Sequence, residues 1–193
     1  MVLRIGDTAP DFQALTTAGT IRFHDWIGES WALLFPHPKD FTPVCRTELG
    51  SVARLAPEFE RRNVRLIALS ADDVANHHRW ADETEETQGA GYPVICDHDL
   101  RVSALYGMRP ADTSSSRTGA DIQTLGNLFL IGPDKKIKLI VEHPGPTLRN
   151  FFEVLRAVES LQLTSQDSVI SPANGKPRQE VTISTRYRAV LRS

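Results

Sequence analysis

Apolar and polar positions recur at two periods along this chain, and each change of period marks an element. Thr20-Ile21-Arg22-Phe23 predicts a short early strand. Trp31-Ala32-Leu33-Leu34-Phe35 is a continuous apolar run, which predicts a buried strand ended by Pro36 and Pro38. From Thr42 to about Arg62 the spacing changes, and Val44, Leu49, Val52, Leu55 and Phe59 trace one face of a helix. Val64 to Leu69 predicts a central strand, and Asp72 and Asp73 offer a cap for a polar helix through about Gln88. Tyr92 to Cys96 predicts another strand, Asp99 to Tyr106 a short helix ended by Gly107, and Ser114 to Ser116 an exposed loop. Asn127–Ile131 and Lys136–Val141 predict a hairpin around Gly132-Pro133-Asp134-Lys135. Thr147 to Leu161 predicts an amphipathic helix with Phe151, Val154, Leu155 and Val158 inward. Few apolar residues and two prolines follow, which reads as an arm. There is no internal repeat. The pattern predicts an α/β fold, a mixed sheet with helices on both faces, over residues 1–161, with a C-terminal arm over 162–193.

Composition narrows the class of function. Lysine and arginine number 22 against 24 acidic residues, a net charge of -2, which makes no footprint for nucleic acid or for a polybasic membrane surface. No apolar run reaches the roughly 18–20 residues of a membrane span. The N-terminus lacks the apolar block of a signal peptide. Two cysteines in 193 residues, with no CxxC, exclude a disulfide framework, a zinc ribbon and a thioredoxin-type dithiol. A cytoplasmic protein with reduced thiols is expected. His77 and His78 are adjacent on a predicted helix and point apart, so they make no metal pair. No phosphate loop or metal-ligand cluster is present, and no cofactor is expected.

The informative stretch is Phe35-Pro36-His37-Pro38-Lys39-Asp40-Phe41-Thr42-Pro43-Val44-Cys45. Thr42 suits an N-cap and Pro43 the first helical position. Cys45 then falls in the first turn, where unpaired N–H groups and the helix dipole favour an anion. A thiol so placed has a lowered pKa and is a nucleophile near neutral pH, and His37 and nearby arginines add to the effect. The same residue also suits a small buried apolar position, and helix position alone does not choose between the two.

Pro38, Thr42 and Cys45 match the pattern Pro-x-x-x-Thr-x-x-Cys, and the chain resembles the peroxiredoxins. The longer strings HPKDFTPVCRTELG, LAPEF, RNVRLIALSAD, GPDKKIKL and RNFFEVLRAVESLQLT resemble the one-cysteine subgroup, over Gly6 to about Leu163. The resemblance implies a thioredoxin-like fold and a homodimer. It also implies a peroxidase that reduces hydrogen peroxide or alkyl hydroperoxides through a Cys45 sulfenic acid, which an external thiol then reduces. On the same footing, Thr42 and the Cys45 N–H bind the peroxide, Pro38 shields the thiolate from water, and His37 sits beside the sulfur. Arg149, in Leu148-Arg149-Asn150-Phe151, corresponds to the second active-site arginine of the family.

Some positions depart from the pattern. The family places an arginine six residues before the glycine of the GPD turn, and here that position is Gly126. Arg109 or Arg117 is available to substitute. The subgroup continues beyond this length, with a tryptophan where this chain has Gly175. A second reading therefore stands beside the first: a diverged relative whose reactive Cys45 serves other thiol chemistry, in biosynthesis or sensing. Cys96, at the end of a predicted strand, is expected to be a structural thiol. The one-cysteine subgroup is also associated with phospholipid ester hydrolysis on a Ser/His/Asp set, which serial matching puts at Ser30, His24 and Asp134. Ser30 precedes a strand, whereas a nucleophile elbow follows one, so these three are expected to be a turn serine, a solvated histidine and a hairpin aspartate.

Overall fold

The continuous apolar runs become the centre of a seven-stranded sheet. The computed structural model describes residues 2–36, 43–72, 91–108, 127–142 and 149–167, for 43–49 and 166–167 through the backbone alone. Strands β1 (Gln13–Thr16) and β2 (Gly19–Arg22) are followed by α1 (Phe23–Ile27), β3 (Trp31–Pro36), α2 (Pro43–Glu60), β4 (Val64–Ser70) and β5 (Val94–Cys96). Then come α3 (Arg101–Leu105), β6 (Leu128–Ile131), β7 (Ile137–Val141) and α4 (Phe151–Asp167). The sheet order is β2-β1-β5-β4-β3-β6-β7. β3 runs parallel to β4, and β4 to β5, while the outer pairs are antiparallel. The fold is α/β with a mixed sheet, as the pattern predicts.

All six residues of β3 are buried, and in β4 only Arg65 is exposed. That is the signature of strands covered on both faces. On one face Ala32, Leu34, Ile67, Leu69 and Ile95 meet an aromatic group. There Phe12 stacks on Phe23 at 4.6 Å, and Tyr106 meets Phe129 edge-on at 5.3 Å. Tyr106 donates to the Pro10 carbonyl at 2.8 Å, and burial pushes its phenol pKa well up. Residues 6–9 strap the start of β7: the Gly6 N–H donates to Ile137 at 2.8 Å, Ile137 donates to Asp7 at 2.9 Å, and Ala9 donates to Lys135 at 2.8 Å.

Two elements near the start of the chain differ from expectation. β1 is a strand that the pattern does not mark; it forms a tight hairpin with β2, closed by Thr16 Oγ1 donating to the Gly19 carbonyl at 2.7 Å. Phe23 opens α1 instead of ending the early strand, because Phe23 and Ile27, one helical turn apart, are both fully buried. The expected helix over 73–88 and the loop at Ser114–Ser116 lie outside the described residues.

The chain divides into two compact units, Met1–Arg149 and Asn150–Ser193. In the second, α4 starts at Phe151, later than Thr147, because Asn150 Oδ1 accepts the Phe152 N–H at 3.1 Å and sets the cap. Phe151, Val154 and Val158 are buried and Leu155 is half-buried. The helix continues past Leu161 to Asp167.

Candidate active site

β3 leads to the site. Its ladder with β4 extends from Trp31↔Val64 to Pro36↔Leu69, so the C-terminal ends of both strands lie together. Seven residues after Pro36 the chain enters α2 at Pro43, the expected first helical position, and Cys45 is the third residue of this 18-residue helix. Proline at the first position has no N–H to leave open, so the open donors of the turn begin at Val44. No acidic residue stands in the first turn to offset the positive end of the dipole. Ends of parallel strands followed by a helix start are where α/β folds commonly bind small ligands and anions.

Arg149 comes to the same edge. Its Nη1 donates to the Pro36 carbonyl at 2.7 Å, a contact across 113 residues of sequence. This partner was illegible in the sequence, because a main-chain acceptor has no letter of its own. His37, Pro38, Thr42, Arg109, Arg117 and Gly126 lie outside the described residues, and so does Gly175. The second thiol, Cys96, is half-buried at the end of β5, with Sγ 3.9 Å from the Val94 carbonyl. Its strand reaches the same end of the sheet, pairing at Ser70↔Cys96.

The Ser30, His24 and Asp134 set is not assembled. Ser30 Oγ donates to Asn63 Oδ1 at 2.7 Å, and His24 Nε2 lies 2.8 Å from the Ala9 carbonyl, which fixes the proton on that nitrogen. Asp134 Oδ2 accepts from Lys138 Nζ at 2.6 Å, and its Oδ1 from the Lys136 N–H at 3.2 Å. Partial burial raises the Asp134 pKa, but these bonds outweigh it and hold the carboxyl below its ordinary value. Each of the three has a structural partner and none of them bonds another.

Two further carboxylates, which the sequence did not single out, organise the loops. Asp97 is buried and caps α3, accepting the Val102 and Ser103 N–H groups at 2.9 and 2.7 Å and the Ser103 hydroxyl at 2.6 Å. Asp11 accepts the Phe12 and His24 N–H groups, each at 3.0 Å, and Arg22 Nε at 2.9 Å. Partial burial pushes Asp11 up, but the bonds from His24 and Arg22 prevail and keep it below the usual carboxylate value. Among the described residues no group of His, Cys, Asp and Glu is arranged to hold a metal ion. No helix among them is long and apolar enough to cross a membrane.

Residues 5–140 match the model of the AhpC/TSA family. The chain belongs to the AhpC/TSA family of peroxiredoxins. Similar proteins extend the match over nearly the whole peroxiredoxin chain. Peroxiredoxin-6 of Rattus norvegicus is 47% identical over 188 residues, 94% of this chain and 83% of that protein. The mitochondrial peroxiredoxin PRX1 of Saccharomyces cerevisiae is 44% identical over 184 residues, 94% of this chain and 70% of that protein. Among solved structures, a yeast mitochondrial 1-Cys peroxiredoxin superposes with a TM-score of 0.83 at 43% identity, over 94% of this chain and 87% of that one. A cysteine-to-serine mutant of the peroxiredoxin 6 of Arenicola marina gives 0.82 at 42% identity, over 95% and 84%. This peroxiredoxin is thus a thioredoxin-like thiol peroxidase of the one-cysteine kind.

Proposed function

We propose that Cys45 is the reacting thiol, that its substrate is hydrogen peroxide or an alkyl hydroperoxide, and that an external thiol restores it. The observation that carries this reading is the place of Cys45 in the first turn of α2, with no carboxylate in that turn. A thiolate there is stabilised by the open N–H groups and the dipole. It attacks one oxygen of the peroxide; an S–O bond forms as the O–O bond breaks, and the leaving alkoxide or hydroxide takes up a proton. Cys45 is left as sulfenic acid. One reductant thiol displaces water to give a mixed disulfide, and a second releases Cys45 as thiol and leaves with the first as a disulfide.

The family pattern supplies the other roles. Thr42 and the Cys45 N–H orient the peroxide, Pro38 keeps water from the sulfur, His37 stands beside it, and Arg149 joins them from the end of β3. The structure of the yeast relative concerns thiol resolution through glutathione and thioredoxin systems. A reductant of either kind suits this chain, and the cytoplasm supplies both. The homodimer implied by the family, with the arm over 162–193 crossing onto the partner, is part of the same proposal. Sedimentation at the mass of one 21.5 kDa chain at micromolar concentration argues against it. Gly126, where the family carries an arginine, favours a second reading: a protein that keeps the reactive Cys45 for other thiol chemistry and is a weak peroxidase.

Intact mass after one equivalent of peroxide separates the two. Rapid, stoichiometric gain of one oxygen, absent in Cys45→Ser, is the expected result. Oxidation no faster than that of a simple thiol supports the second reading. Cys96 is a bystander here, and a dominant Cys45–Cys96 disulfide in non-reducing peptide maps overturns that assignment.

A further inference from the structure

We propose that Arg149 is a positioning residue that fixes the point where the chain leaves β3, through the Pro36 carbonyl, instead of acting as a charge on the sulfur. This rests on the reading of Cys45 as the reacting thiol. The two neighbours of β3 do not support its end equally. Pairing with β6 covers only Ala32↔Ile131 to Leu34↔Phe129, whereas pairing with β4 continues to Pro36↔Leu69. Phe35 and Pro36 therefore extend past the β6 ladder, on the side where a main-chain partner has ended. Pro36 has no N–H, so its carbonyl is its one main-chain hydrogen-bonding group. Arg149 Nη1 takes that carbonyl at 2.7 Å.

The contact suits anchoring. A guanidinium is planar, always charged and carries its donors in a rigid fork, so a bond from it is both strong and directional. From Pro36 the chain has six residues in which to reach Pro43 and the start of α2. Misplacement by about 1 Å in a reacting site costs up to about a hundredfold in rate. Pro36 has no N–H of its own with which to fix the start of this stretch. A side chain from 113 residues away does so at its origin.

Anchoring and charge predict different variants. Arg149→Met removes both, and Arg149→Lys keeps the charge and one reaching donor. Three measurements on the full-length protein read them: the rate with hydrogen peroxide, the pH midpoint of Cys45 alkylation by iodoacetamide, and amide exchange in the peptide covering the end of β3. For a positioning residue, Arg149→Met lowers the peroxide rate about ten- to a hundredfold. It leaves the alkylation midpoint in place and speeds exchange at the end of β3, and Arg149→Lys recovers part of both losses. A midpoint raised by a full unit with exchange unchanged overturns the proposal and makes Arg149 an electrostatic partner of the thiolate. Unchanged rate and exchange in Arg149→Met overturn it as well. Failure of the Cys45 reading is distinguishable, because the unmodified protein then shows no fast reaction at Cys45 while the exchange comparison still reports on Arg149. Melting of both variants, with Arg149→Lys as the milder change, controls for loss of the fold.

Discussion

β3 has a polar residue with a reputation for chemistry near each end, and the two ends differ in what surrounds it. At the start, Ser30 is buried and its hydroxyl is committed to Asn63, while His24 and Asp134 are committed to Ala9 and Lys138. At the far end the chain enters a helix whose first turn holds Cys45 and no carboxylate. A side chain whose hydrogen bonds are satisfied by the fold is part of the scaffold. A helix start retains donors that the helix cannot satisfy, and these remain available to a reacting anion.

The largest test of that contrast pairs one variant from each end. Cys45→Ser should lower peroxide turnover by at least about a thousandfold, since the proposed nucleophile is lost. Ser30→Ala should leave turnover unchanged and lower stability by about 1 kcal/mol, the usual worth of one hydrogen bond. Steady-state rates and thermal melts measure both. Ester hydrolysis that disappears in Ser30→Ala would break the comparison.

A smaller effect sharpens it. Gly126→Arg restores the cation that the family pattern places at that position. A charge-assisted bond of roughly 1.5–3 kcal/mol felt in the transition state raises the peroxide rate about ten- to a hundredfold. Single-turnover kinetics, with a melt to confirm folding, check this. No gain means that another arginine already fills the role; a loss means that the space beside the glycine is used by something larger.

The smallest effect belongs to the scaffold end. Asp11 has a folded pKa below its ordinary value, so as pH falls below about 4 the unfolded chain binds the proton first and stability declines. Asp11→Asn should flatten this decline while lowering stability at neutral pH. Melting temperatures between pH 3 and 7 give the slope, and an unchanged slope would show that the His24 and Arg22 bonds do not hold the carboxyl in solution.

Legibility in the sequence followed how local each cause is. β3, β4 and the β6–β7 hairpin were readable because their apolar runs and turn residues are contiguous. β1 was not: its four residues have no strong pattern, and it joins the sheet through the β2 hairpin and a single pairing, Thr16↔Ile95. Cys45 stood out because capping is written in adjacent residues. The Arg149 contact was invisible because its acceptor is a backbone carbonyl, and the committed state of Ser30 because Asn63 is brought to it by the turn into β4.

The strap at the start of the chain has a consequence for the order of manufacture. Gly6 and Lys136 are hydrogen-bonded across 130 residues, so the strap leaves the ribosome long before its docking strand exists. At about 5–20 residues per second the wait is roughly 7–26 s. During that interval Ala9 and Phe12, which end in the core, have no β7 beside them to hold the strap down. A segment made 130 residues before its partner is thus secured only once that partner exists, and a nascent chain stalled before residue 135 leaves it undocked.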